Sequence, residues 1–193
     1  MRDMFDRALA THLEVLEKMR KDEQLFSQLL ELVRLTRESL HNGGKVLFAG
    51  NGGSAADAQH LAAEFTGKFY KNRPPLFAEA LHCNSSYLTA VANDFSYEEI
   101  YSRLVQGIGR QGDILFGIST SGNSKNILKA FETAKALKIV TVGMTGLGGG
   151  LMKNLSNYCF EVPSTDTPRI QEAHILIGHI YCQLVEEAMF PDD

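Results

Sequence analysis

Four hydroxyl residues crowd into one short segment, Gly117-Ile-Ser-Thr-Ser-Gly-Asn-Ser124, as Ser119, Thr120, Ser121 and Ser124. The apolar run before it, Asp113 to Ile118, reads as a buried parallel strand, and Ile127 to Leu137 reads as a helix. A turn between a strand's carboxyl end and a helix's amino end is where an open α/β sheet binds ligands. Free backbone N–H groups and the helix dipole favour an anion there, and hydroxyls donate to phosphate oxygens without adding charge. Capping the helix needs only one serine. Four hydroxyls beside Gly122 point instead to a phosphate-binding turn.

A second glycine-rich turn, Gly50-Asn51-Gly52-Gly53-Ser54, follows the apolar strand Lys45 to Gly50. Glycine lets the backbone approach a ligand closely. No Gly-Lys-Ser/Thr follows, so it is not a Walker loop, and the acidic partner of a dinucleotide fingerprint is missing. Two such turns after parallel strands suggest one shared ligand crevice.

The helix that follows carries Asp57, His60 and Glu64. His60 and Glu64 are four apart and share a helix face. Such a pair can chelate a divalent metal, or Glu64 can act as a general base. It can equally be an ordinary surface pair. The last helix carries Gln171, Glu172, His174 and His179 among isoleucines and leucine. At about 100° per residue, Gln171 and His179 stand roughly 80° apart on one side. Polar groups on a mostly apolar helix need partners, either a ligand or the core. His174 points elsewhere and reads as structural. Lys68, Lys125 and Arg169 can each approach a phosphate or serve as plain surface bases.

These groups need a scaffold, and the strand and helix pattern supplies one. Residues from Met4 to Leu40 predict amphipathic helices broken near Lys21-Asp22-Glu23 and closed by Asn42-Gly43-Gly44. Helices are expected at 54–69, 85–91, 97–110, 127–137 and from 167 or 169 to 189, with a short one after the loop at 145–150. Strands are expected at 45–50, 77–81, 113–118, 139–144 and 158–162. Alternation of this kind implies a doubly wound, three-layer parallel sheet, α/β in class, preceded by a helical segment that covers the sheet or joins copies. The 193 residues form one domain, with helices over 1–42 and an α/β core over 43–193.

Composition narrows the function. The net charge of −4 offers no nucleic-acid surface, so a phosphate must be held by local donors. Cys83, Cys159 and Cys182 are widely spaced, which argues against zinc fingers and disulfides and for a reducing cytoplasm. The charged start shows no signal peptide, and no apolar run approaches membrane-spanning length.

Gly50-Asn-Gly-Gly-Ser-Ala-Ala-Asp-Ala-Gln-His-Leu-Ala-Ala-Glu64, Ala92-Asn-Asp-Phe95, the segment 117–124, and Pro168-Arg-Ile-Gln-Glu-Ala-His174 with His179 together resemble the SIS (sugar isomerase) domain family, and within it the phosphoheptose isomerases. The resemblance spans almost the whole chain. It implies that Ser119, Thr120, Ser121 and Ser124 hold a sugar phosphate. Asn51, Gly52, Gly53, Glu64 and Gln171 would line the sugar site, with Asn93 and Asp94 contributing from a neighbouring loop. Glu64 and His179 would be the catalytic acid/base pair. His60, Glu64, Gln171 and His179 would hold one zinc ion per subunit. It further implies a cytoplasmic homotetramer with sites between subunits and no membrane or nucleic-acid partner. The activity would be isomerisation of sedoheptulose 7-phosphate through an enediol, feeding heptose precursors of lipopolysaccharide or capsule. Position 68 is Lys where the family often has Arg. A non-catalytic regulator of the same family, binding a replication initiator or sensing sugar phosphates, would need no carboxylate base; Glu64, Gln171 and His179 together favour the enzyme. A hexose or pentose phosphate substrate remains open at this point, because the hydroxyl turn reads only phosphate.

Overall fold

The computed structural model describes residues 1–191. Helices α1 (Arg2–Arg20) and α2 (Glu23–His41) lead the chain. Their break falls at Lys21-Asp22, as expected. Asp22 Oδ1 accepts the N–H groups of Gln24 and Leu25 at 3.0 and 2.9 Å, satisfying two donors that a helix start leaves free. The α/β part then runs β1 (Val46–Gly50), α3 (Gly53–Thr66), β2 (Ala78–Ala80), α4 (Ser85–Asp94), a 3₁₀ turn (Tyr97–Glu99) into α5 (Ile100–Ile108), β3 (Ile114–Ile118), α6 (Lys125–Ala136), β4 (Val140–Thr145), α7 (Met152–Leu155), β5 (Tyr158–Glu161) and α8 (Thr167–Met189).

The five strands form one parallel sheet in the order β2-β1-β3-β4-β5. Side chains alternate across it. Val46 and Phe48 join a core with α2, α3 and α8, while Leu47 and Ala49 join another with α5 and α6. Because both faces are covered, β1 and β3 are buried throughout, which is why they read as unbroken apolar runs. Helix α2 covers the sheet beside α8, burying Leu29, Leu32 and Val33, and α1 rests on α8; Phe5, Leu9, Leu13, Phe26 and Leu30 of these two helices stay exposed.

Several boundaries differ from the sequence expectation. Helix α3 stops at Thr66 rather than 69, because Gly67 leaves the helix and the Arg73 side chain takes up carbonyls of its last turn. Helix α4 runs on through Asp94, so Asn93 and Asp94 close a helix instead of lying in a loop; no breaker stands between Val91 and Asp94. The helix expected at 97–110 begins as a 3₁₀ turn and ends at Ile108, where Gly109 turns extended.

From β1 the chain moves outward to β2 and then crosses back to β3 on the other side, so the strand order reverses between β1 and β3. Gly50 pairs in register with Ile118, which sets the two candidate turns side by side at the carboxyl edge, where open α/β sheets bind ligands. At the opposite edge Lys45 Nζ meets Asp113 Oδ2 at 2.7 Å, both side chains buried. Asp113 also accepts the N–H groups of Lys45 and Arg110, so one carboxylate ties the starts of β1 and β3.

Candidate active site

The hydroxyl turn is built to present its oxygens. Ser124 is the N-cap residue of α6, yet its side chain makes no cap bond. Its Oγ lies 2.8 Å from Ser119 Oγ, and Ser121 Oγ lies 3.4 Å from the same atom. Three hydroxyls therefore converge before the start of a helix, as an anion site requires. Ser119 is buried, and Thr120 is partly open. Gly122, at φ +64°, packs so tightly against the Gly149 backbone that no side chain fits. Lys125 is not turned to this site; its Nζ pairs with Glu98 at 3.0 Å. Arg169 points to α1, donating to the Ala8 carbonyl, and bonds Glu172 on its own helix.

The second turn is tied to the first. Asn51 and Asn126 exchange reciprocal amide hydrogen bonds of 3.0 and 2.8 Å, and Tyr97 Oη donates to Asn51 Oδ1 at 2.9 Å. Asn51 thus fixes its turn against α6, and Gly52 and Gly53 offer the exposed backbone beside it. Asn126 and Tyr97 did not emerge from the sequence. Asn126 was detectable, since it recurs with Ala130 and Ala134 at four-residue spacing on the buried stripe of α6, where an amide needs a partner. Asn93 and Asp94 sit exposed at the end of α4, bonded to each other at 2.9 Å, three residues before the 3₁₀ turn that carries Tyr97.

Two helices bring the titratable residues together. Helix α3 presents His60 and Glu64 with His60 Nε2 to Glu64 Oε1 at 3.2 Å, and α8 brings His179 Nε2 to 3.0 Å from the same His60 nitrogen. All three donor atoms lie within 4.8 Å of one another. Around a tetrahedral cation with bonds of about 2.0–2.1 Å, neighbouring ligand atoms stand roughly 3.4 Å apart. The two nitrogens and the carboxylate oxygen therefore fit a divalent cation. Gln171 lies elsewhere in this chain. Its side chain covers Gly53 at the start of α3, about two helical turns from His179. It borders the glycine turn, not the His/Glu cluster. His174 is fully buried with Nε2 3.1 Å from the Thr145 carbonyl, which makes it structural as expected.

One titratable group beside the cluster is perturbed. Asp57 is pushed up to about 6 by burial, with the nearby His60 pulling the other way, and its Oδ2 has no hydrogen-bond partner. The Phe69 ring stands 5.8 Å from the His179 ring and walls one side of it.

Residues 9–146 match the SIS domain family. The chain is 50% identical to a phosphoheptose isomerase of Aneurinibacillus thermoaerophilus, over 98% of this chain and 96% of that protein. It is 53% identical to phosphoheptose isomerase 2 of Campylobacter jejuni, over 91% and 88%. Among solved structures, phosphoheptose isomerase from Neisseria gonorrhoeae superposes with a TM-score of 0.90 at 36% identity, covering 96% of this chain and 98% of that one. The parallel sheet with its flanking helices is thus the fold of a known relative, and the chain belongs to the SIS domain family, among its phosphoheptose isomerases.

Proposed function

We propose that this protein is an aldose–ketose isomerase that converts D-sedoheptulose 7-phosphate to D-glycero-D-manno-heptose 7-phosphate, with the whole chain working as one SIS domain. The observation that carries the reading is the meeting of Glu64 and His179 from different helices, in a chain half identical to phosphoheptose isomerases. Ser119, Thr120, Ser121 and Ser124 bind the phosphate. Asn51, Gly52, Gly53, Gln171, Asn93 and Asp94 shape the sugar site. Binding energy from the distant phosphate positions the reacting end.

Glu64 takes a proton from C1 of the open ketose, leaving an enediol, and the proton returns at C2. His179 carries protons between the two oxygens, so the C2 carbonyl becomes a hydroxyl while the C1 hydroxyl becomes the aldehyde. His60, Glu64 and His179 would hold the metal, and Gln171, seated against Gly53, is left to the sugar site. Zinc, when bound, would polarise the carbonyl. A carboxylate has two oxygens, so Glu64 can face a cation with one and a carbon-bound proton with the other. A regulator would need no such base.

The test is an isomerase assay with sedoheptulose 7-phosphate on wild type, Glu64→Gln and metal-stripped protein. Glu64→Gln should lose turnover and still bind the sugar phosphate, and zinc should restore the stripped protein. Normal turnover by Glu64→Gln would exclude the base assigned here.

The working form is a cytoplasmic homotetramer with sites completed between subunits. Leu16, Met19, Phe26, Leu176 and Ile180 line an apolar groove between the N-terminal helices and α8, and Phe26 is 54% exposed in the single chain. A second copy covering that surface removes a patch a soluble monomer rarely keeps. Light scattering at assay concentration should give four chains; a monomer with full turnover would refute the shared site.

A further inference from the structure

The loop that follows α3 is held by one buried ion pair, which meets the His/Glu cluster only at the main chain of Glu64. Arg73 Nε meets Glu186 Oε1 at 2.9 Å, with the two side chains 3% and 1% exposed. The remaining guanidinium nitrogens donate to main-chain carbonyls of Glu64 at 2.8 Å, Phe65 at 2.7 Å, Gly67 at 3.2 Å and Pro74 at 3.1 Å. The Glu64 and Phe65 carbonyls belong to the last turn of α3, where a helix has no donors of its own. Arg73 thus caps that turn from outside.

Glu186 works on the other side of the pair. Its carboxylate accepts the N–H groups of Phe69, Tyr70 and Lys71 at 3.1, 2.7 and 2.9 Å. Burial alone would raise its pKa, but these donors and Arg73 outweigh that and hold it below the usual range. The loop so gathered places the Phe69 ring against His179. Glu186 itself stands on α8, seven residues beyond His179 and hence about two turns along the same helix.

We infer that Arg73 and Glu186 are positioning residues for the isomerisation: they lock the helix turn that carries Glu64 and the ring that walls His179, so that base and imidazole keep one separation. The inference rests on the isomerase reading. Arginine is required because a lysine ammonium is a point charge and cannot serve a carboxylate and several carbonyls in one plane. The phosphate turn lies on β3 and α6 and receives nothing from this pair.

Three variants test it: Arg73→Lys, Glu186→Gln and Phe69→Leu. Melting, kcat, KM, the pH–rate profile and zinc affinity by calorimetry are measured for each. Arg73→Lys and Glu186→Gln should remain folded at 20 °C and lose about 10- to 100-fold in kcat, as loosened geometry does, with KM changed less than about threefold. Their zinc affinity should fall about tenfold or more, as loss of outer partners does. Phe69→Leu leaves the ion pair intact and should shift the pH–rate profile; it carries the test if the other two do not fold. Folded variants with kcat, pH profile and zinc affinity all within twofold of wild type, and only a lowered melting temperature, would overturn the inference. If wild type itself failed to turn over, the isomerase reading would fall, and unchanged zinc affinity in Arg73→Lys would then sink the positioning role separately.

Discussion

Replacing Gly53 by Ala separates the role of Gln171 from that of the fold. Gly53 is the first residue of α3, and its backbone is one that any L residue can adopt. A Cβ there would run into the Gln171 amide nitrogen, with the amide carbon only 3.0 Å away. The obstacle is the far end of a flexible side chain, so the helix stays and Gln171 swings aside. Alanine in place of glycine should leave stability unchanged or raise it by up to about 1 kcal/mol. If Gln171 donates or accepts one hydrogen bond to a neutral sugar hydroxyl, its displacement removes about 0.5–1.5 kcal/mol. That corresponds to a loss of roughly two- to twelvefold in kcat/KM for sedoheptulose 7-phosphate. Gly122→Ala is the contrast. There φ is +64° and the obstacle is the Gly149 backbone, which cannot step aside. That variant should lose stability outright, by more than about 1 kcal/mol, and activity with it. The measurements are kcat/KM and a thermal melt on both variants. A Gly53→Ala protein with unchanged melting and unchanged kcat/KM would refute the placement of Gln171 against substrate.

Acid should weaken the fold through His174, whose pKa burial depresses from 6.5 to about 4, the bond to the Thr145 carbonyl pulling it up. The neutral form is the one the folded chain prefers, so this contribution is complete above pH 6.5, declines as pH falls and is gone below about 4; it amounts to ~2 kcal/mol lost by pH 5 and ~3 kcal/mol by pH 4. Asp57, raised to about 6, acts in the opposite direction, so the effect is read as the difference in urea stability between wild type and His174→Gln at pH 7.5 and pH 5; a gap that does not change would refute it. Asp113→Ala strands the buried Lys45 ammonium and two main-chain donors and should cost about 3–5 kcal/mol in urea titrations, while kcat per folded molecule stays at the wild-type value, because the pair sits at the edge of the sheet away from the turns.

Local signals and partnerships were not equally legible in the sequence. The strands β1 and β3 were plain because a sheet covered on both faces makes continuous apolar runs, and the N-terminal break was plain because Asp22 is a strong cap. The hydroxyl turn and the His60–Glu64 pair were visible for the same reason, since each is set by neighbours in sequence. Contacts between distant elements were not. That His179 meets His60 depends on how α8 lies across α3, and no periodicity reports a crossing of two helices. Gln171 shows the limit most clearly. Helix geometry put it on the same side as His179, which is compatible with a shared ligand, but a side chain eight positions back is ~12 Å away along the axis. In this chain it therefore reaches the glycine turn and not the His/Glu cluster. The same holds for Arg73 and Glu186, 113 positions apart: nothing local distinguishes either from a surface charge. Only the fold reveals that one carboxylate collects three backbone N–H groups, and that its partner takes up the carbonyls of the turn bearing Glu64. An active site assembled from two helices needs something to fix their ends, and a charge pair far from the chemistry in sequence is where that constraint is placed.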